Sequence, residues 1–156
     1  MIVLGVDPGI ERIGWAVIEK VGSKLTPIRF GLIKTPRIPT PARLLLIRQE
    51  FTAVLHEFKP DEFATEQQVF AANKTTALDV AKALGVMLAV SAELDLPWAE
   101  YSPPEVKKAV TGVGQAEKHQ VQFMVQKILG LTEPVKPDDV ADALAIAVCH
   151  ALKTRG

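Results

Sequence analysis

The chain has 156 residues, 48% apolar and 23% charged, enough for one domain whose core needs no disulfide or metal staple. Its 18 Lys and Arg balance 18 Asp and Glu, which excludes a polybasic arm or an acidic tail as the basis of function but permits a local basic patch. Cys149 is the single cysteine, so an intramolecular disulfide and a cysteine-based zinc cluster are excluded, and a reducing, cytoplasmic setting is expected.

Met1 to Asp7 carries no basic flank and does not form a signal peptide. Ile2 to Val6 is an apolar run stopped by Asp7-Pro8-Gly9, which predicts a buried central strand ending on Asp7 at a Pro-Gly turn. Gly14 to Ile18 and Ile28 to Ile33 predict two further strands, joined near Gly22-Ser23 into a meander. After the break from Pro36 to Pro41, Leu44, Ile47, Phe51, Val54, Leu55 and Phe58 recur at helical spacing and predict a helix over 42–58.

Glu62 to Glu66 is a short strand entered from the Lys59-Pro60-Asp61 turn. A helix over about 75–94 follows, then a strand over 97–101 and a helix opened by Pro103-Pro104. The apolar stretch of the first of these helices, Ala83 to Ala92, is far shorter than the ~20 residues of a membrane span. Gly112 and Gly114 interrupt before a helix over 117–129. The last helix covers about 137–153, with Asp138 or Asp139 near its N-cap. The order β-β-β-α-β-α-β-α-α-α predicts an α/β domain over 1–156, a mixed sheet with helices on its faces. Trp15 and Trp98 are expected in the core, and His119 and His150 at the surface or in caps.

Four acids stand out by placement. Asp7 and Glu66 end strands one and four, while Asp139 and Asp142, spaced i, i+3, share one face at the start of the last helix. If those strands are neighbours, all four can meet. Like charges so close raise one another's pKa values, and a bound hard cation relieves the repulsion. Carboxylate oxygens favour Mg²⁺ or Mn²⁺ over zinc, and no His/Cys set competes. Two such ions ~3.5–4 Å apart suit phosphoryl displacement. Singly, Asp7 suits a turn, Asp139 an N-cap and Asp142 a helix-dipole partner. Glu66 has no such local purpose, and it is the set of four that points to metal.

These residues carry a likeness. Gly5-Val6-Asp7-Pro8-Gly9 and Gly14-Trp15-Ala16 resemble the opening of RuvC-type Holliday junction endonucleases. Glu66-Gln67-Gln68-Val69-Phe70, Gly112-Val113-Gly114-Gln115-Ala116-Glu117-Lys118 and Asp139-Val140-Ala141-Asp142-Ala143-Leu144-Ala145 are similar to that family's later motifs, in the same order. The resemblance runs from Met1 to about Lys153. It implies a ribonuclease H-like fold with a mixed five-stranded sheet, and a homodimeric nuclease that cuts a four-way DNA junction symmetrically in recombination and repair. It further implies two Mg²⁺ (or Mn²⁺) ions held by Asp7, Glu66, Asp139 and Asp142, and partnership with the RuvA–RuvB branch-migration machinery. Asp139 is taken over the additional acid Asp138 because it keeps the i, i+3 spacing to Asp142.

From Val21 to Gln49 there are six basic residues (Lys24, Arg29, Lys34, Arg37, Arg43 and Arg48) and no acid. Lys74, Lys107, Lys108 and Lys118 add candidates for DNA phosphate contact. The resemblance places Lys107 and Lys118 close to the scissile phosphate, whereas Lys24 and Arg29 read as solvated. Phe70 falls in a loop, where an aromatic fills the core or stacks on an unpaired base; the family likeness favours stacking. The helix over 75–94 is apolar around most of its circumference, so a two-fold partner is expected to cover one face. The alternatives are an RNA-processing nuclease of the same fold and a non-catalytic junction-binding scaffold. Four facing carboxylates weigh against the scaffold, which gains nothing from negative charge near phosphate.

Overall fold

The computed structural model describes residues 1–67 and 74–155, the side chains of residues 74 and 75 apart. Strands β1 (Ile2–Asp7), β2 (Arg12–Val21) and β3 (Lys24–Lys34) form the meander, followed by α1 (Thr40–Phe58) and β4 (Glu62–Glu66). Then come α2 (Lys74–Glu93), β5 (Trp98–Tyr101), α3 (Pro103–Thr111), α4 (Lys118–Leu129) and α5 (Asp138–Lys153). β2 and β3 are longer than expected because the hairpin stays paired as far as Val21 and Lys24 at its turn.

The five-stranded sheet has the order β3-β2-β1-β4-β5. β1 is antiparallel to β2, and β1, β4 and β5 run parallel, linked by helical crossovers. The carboxyl ends of β1 and β4 therefore share one edge, and each strand ends on an acid. β1 is central and covered on both faces, which is why Val3, Leu4 and Val6 are all fully buried.

The sheet separates two cores. On one face Leu4, Val17 and Ile33 pack with Ile47 and Phe51 of α1 and Met87 of α2. On the other, Val3, Ala16 and Ala64 pack with Leu144, Ala147 and Val148 of α5, and with Val106 and Val121 of α3 and α4. The rings of Phe51 and Phe63 meet at 5.4 Å, and burying each stabilises the fold by roughly 1.5–3 kcal/mol.

α5 meets the sheet backbone directly at two points. A Cβ on Gly5 would stand 2.4 Å from the Ala143 carbonyl oxygen, and one on Gly14 only 1.9 Å from that of Asp139. These two glycines let the helix backbone rest directly on β1 and β2. At its other end, Lys20 Nζ donates to the carbonyls of Ala151 (2.6 Å) and Thr154 (2.5 Å), a cation where the helix dipole favours one. Pro137 occupies the N-cap position of α5 and no side chain caps it, so Asp138 and Asp139 fall in the first turn with neither used as the cap.

Two expectations are corrected. Trp98 is not core: it is 40% exposed on edge strand β5, where its Nε1 donates to Thr65 Oγ1 at 3.1 Å. His150 is neither a surface nor a capping residue. It is buried in the last turns of α5, hydrogen-bonded through Nδ1 to the Tyr101 hydroxyl (2.7 Å) and through Nε2 to the Glu62 carboxylate. The apolar pattern of α5 gave no sign of a polar pair waiting beneath it on β4 and β5. Trp15 is half-buried against Phe58. α2 buries Val80, Ala83, Leu84, Met87 and Val90, while Leu78, Ala81, Gly85 and Ala89 face outwards. α5 does not cover that outer face, because it packs on the opposite side of the sheet.

Candidate active site

Asp7 leaves the sheet at the end of β1, Glu66 at the end of the neighbouring parallel strand β4, and Asp139 and Asp142 face them from the first turns of α5. Each position follows from the fold. The Pro-Gly turn stops β1 after Asp7, the Lys59-Pro60 turn sets the start of β4, and the two glycines seat α5 at this end of the strands.

The electrostatics show that the acids occupy one region. Burial, together with the charges of Asp142, Glu66 and Asp139, pushes the Asp7 carboxyl up to about 8, with Lys118 opposing. Glu66 is raised by burial and by Asp142, against the pull of Lys107 and Lys118. Burial also raises Asp142, opposed by Lys118 and reinforced by Asp138 and Asp139. Among the described residues, no three His, Cys, Asp or Glu side chains stand close enough to enclose an ion together. The acids of α5 are drawn towards cations instead. Arg12 Nε lies 3.3 Å from Asp139, and Lys118 Nζ lies 3.6 Å from Asp142 and 3.2 Å from Asp138. Arg12 and Lys118 thereby offset part of the acids' negative charge.

Beside the acids opens a cleft of about 280 Å³, walled by Glu66, Asp142, Lys107, Lys118, Gln122 and Pro103. A larger hollow of about 440 Å³ lies along the other side of α4, but its lining includes none of the four acids. Val113, Phe123 and Met124 among its walls offer little to a phosphate, so the smaller cleft is the chemically competent one.

Asp7, Glu66, Asp139 and Asp142 thus lie within one another's electrostatic reach, and Lys107 and Lys118 line the cleft beside Glu66 and Asp142, without three acids converging on one point among the described residues. Lys108 is exposed and does not line the cleft. Phe70 and the side chain of Lys74 lie outside the described residues. Of the basic segment, Arg43 is held by Thr35 Oγ1 (2.9 Å) and Arg48 by Glu93 (3.6 Å), while Lys24, Arg29, Lys34 and Arg37 are exposed. Two site residues escaped sequence reading. Gln122 follows Lys118 at i, i+4, a spacing that could have placed it on the same helix face. Arg12 reaches Asp139 across the β2–α5 contact made at Gly14, which no local pattern announces.

Acids at the carboxyl ends of adjacent parallel strands, in a mixed sheet faced by a helix carrying two more, define a ribonuclease H-like hydrolase. Residues 3–150 match the family model described as crossover junction endodeoxyribonuclease RuvC. The chain is 47% identical over 152 residues to the crossover junction endodeoxyribonuclease RuvC of Desulfitobacterium hafniense, covering 97% of this chain and 92% of that one. It is 46% identical over 156 residues to the RuvC of Thermotoga petrophila, covering 99% and 94%. The structure of Thermus thermophilus RuvC in complex with Holliday junction substrate superposes with a TM-score of 0.93 at 40% identity, over 97% of this chain and 93% of that one. The chain belongs to the RuvC family of crossover junction endodeoxyribonucleases.

Proposed function

We propose that residues 1–156 form one ribonuclease H-like nuclease domain that, as a homodimer, resolves four-way (Holliday) DNA junctions by symmetric, divalent-metal-dependent hydrolysis of phosphodiester bonds. The observation that carries this is that Asp7 feels the charges of Glu66, Asp139 and Asp142, next to a cleft walled by Glu66, Asp142, Lys107 and Lys118. The donors suit the ion. They are hard carboxylate oxygens, and burial first and neighbouring acids second raise the carboxyls of Asp7, Glu66 and Asp142, a cost that a divalent cation removes.

Asp7, Glu66, Asp139 and Asp142 would hold the metal. When bound, two Mg²⁺ or Mn²⁺ ions would supply activation of a water and stabilisation of the leaving 3′-oxygen. The chain does the rest. β1 and β4 fix Asp7 and Glu66 on rigid neighbouring strands, and α5, its backbone resting on Gly14 and Gly5, fixes the other two. Lys107 and Lys118 offset charge as it develops on the scissile phosphate. Lys74 and Lys108 would contact flanking phosphates, and Phe70 would stack on an unpaired junction base. The expected setting is the cytoplasm beside RuvA–RuvB; among the described residues no helix is long and apolar enough to cross a membrane.

The outer face of α2 supports the dimer. Leu78 is 58% exposed there, and a Cβ on Gly85 would meet no atom within 4 Å, so a second copy can approach closely along Ala81, Gly85 and Ala89. Ala89→Arg is expected to turn the dimer into a monomer by sedimentation equilibrium without unfolding it, and to replace paired nicks by slow single ones. An Ala89→Arg protein that remains a dimer would place the interface elsewhere.

The deciding experiment is cleavage of an end-labelled synthetic four-way junction with Mg²⁺, with Mn²⁺ and with chelator, beside linear duplex and structured RNA. Paired symmetric nicks in the junction alone, lost on chelation, are expected. Preferential RNA cutting would transfer the site to another substrate, and binding without cutting under either metal would make the protein a scaffold.

A further inference from the structure

Asp138 is an acid beside the site to which the proposed chemistry gives no task. Its Oδ2 lies 3.2 Å from Lys118 Nζ, and its Oδ1 accepts a hydrogen bond from Gln122 Nε2 at 3.3 Å. Lys118 and Gln122 are one turn apart on α4, so a single face of that helix grips both oxygens of one α5 carboxylate. The Lys118 ammonium also reaches Asp142 at 3.6 Å.

The two acids around Lys118 differ. Asp142 is half-buried and its carboxyl is raised by that burial, whereas Asp138 is exposed and held below the usual carboxylate range by the Lys118 ammonium and the Gln122 amide. Asp138 is not among the charges that raise Asp7, which feels Asp142, Glu66 and Asp139. It does not line the cleft itself but holds two residues that do, Lys118 and Gln122. A lysine has a long, flexible stem and three rotatable donors. Anchored on Asp142 alone, its ammonium would compete with any cation that carboxylate takes up. A second anchor outside the cluster keeps it at the wall, aimed into the cleft.

We infer that Asp138, its carboxylate oriented by Gln122, is the positioning residue for Lys118 and not itself a metal ligand. This rests on the reading of Lys118 as a phosphate-facing cation. Both side chains are more than half exposed, so the pair adds little to folding stability and its removal leaves the fold intact.

The test is a double-mutant cycle on the full chain with Asp138→Asn and Lys118→Met. Single-turnover junction cleavage is measured in Mg²⁺, junction affinity in Ca²⁺ by fluorescence anisotropy, and Mn²⁺ binding without DNA by calorimetry. Lys118→Met is expected to slow cleavage by about 100-fold, as removal of one charge-stabilising donor does. Asp138→Asn is expected to slow it by roughly 5- to 10-fold, with Mn²⁺ binding unchanged and junction affinity within about two-fold. In the Lys118→Met background it should cost nothing more, because it acts only through that lysine. Additive losses, weakened Mn²⁺ binding, or a silent Asp138→Asn beside a slow Lys118→Met would each overturn the inference while sparing the Lys118 reading. A silent Lys118→Met would overturn both.

Discussion

Asp7→Asn is expected to lower junction cleavage by roughly a thousandfold or more, to leave junction affinity within a few-fold, and to raise the stability of the metal-free protein at pH 8. The first two effects separate chemistry from binding. Asp7 ends β1 and its carboxyl feels the charges of Asp142, Glu66 and Asp139, so it is the one on which all the others act. The amide keeps its size and cannot replace its charge.

The third effect follows from linkage. The Asp7 carboxyl titrates near 3.8 in the unfolded chain and near 8 in the folded one, so between those values the folded state holds a proton that the unfolded state has released. Stability from this group is complete below about pH 4 and is lost as pH rises through 8. In chelator, the wild-type melting temperature should therefore fall from pH 5 to pH 8, and the slope should flatten in Asp7→Asn. Every tenfold difference in proton affinity between the two states corresponds to ~1.4 kcal/mol in principle. Relaxation and water entry reduce that, and a gain of about 1–3 kcal/mol at pH 8 is expected, or roughly 3–10 °C. Added Mg²⁺ should restore the wild type and do little for the variant. Calorimetry across pH, with and without the ion, checks this. An Asp7→Asn protein that cuts normally, or is less stable than wild type in chelator at pH 8, would remove Asp7 from the charge cluster.

The elements of this fold were readable because punctuation and periodicity agreed. Asp7-Pro8-Gly9 stops β1, the Lys59-Pro60 turn starts β4, and the 3.6-residue spacing from Leu44 to Phe58 marks α1. The four acids were legible as a set because each closes or opens an element at one edge of the sheet. What stayed hidden is non-local. Arg12 pairs with Asp139, more than a hundred residues away in the chain, through an approach that only the absence of a side chain at Gly14 permits. His150 reads as one polar residue among alanines, and its burial depends on Glu62 and Tyr101 from two strands of another part of the sequence. Trp98 was misplaced by its hydrophobicity, because nothing local says that β5 is an edge. In each case the deciding partner is brought by topology, and single-residue character carries no information about it.

The seat of α5 makes the second large prediction. Gly14→Ala places a methyl carbon 1.9 Å from the Asp139 oxygen, 2.3 Å from its carbonyl carbon and 2.8 Å from the Val140 nitrogen, all of them backbone atoms. No rotamer change relieves such a clash, so the amino end of α5 must lift from β2. A loss of about 3 kcal/mol is expected, at the upper end for overpacking. Cleavage should fall by about 100-fold even well below the melting temperature, since a shift of order 1 Å in catalytic groups costs that much. Gly5→Ala meets the Ala143 oxygen at 2.4 Å and the Ala147 nitrogen at 2.6 Å, deeper along the helix, and should harm stability at least as severely. Gly85→Ala is the control. Its new methyl meets nothing within 4 Å, and removing a glycine from a helix interior should leave the chain's folding stability unchanged or raise it by up to ~1 kcal/mol. Denaturant unfolding of the three variants tests the stability ranking, and single-turnover cleavage is read for Gly14→Ala and Gly5→Ala alone, because Gly85 lies on the α2 face assigned to the dimer. Near-native stability and activity in Gly14→Ala would show that α5 is not seated on the β2 backbone, and the grouping of Asp139 and Asp142 with Asp7 would then need another cause.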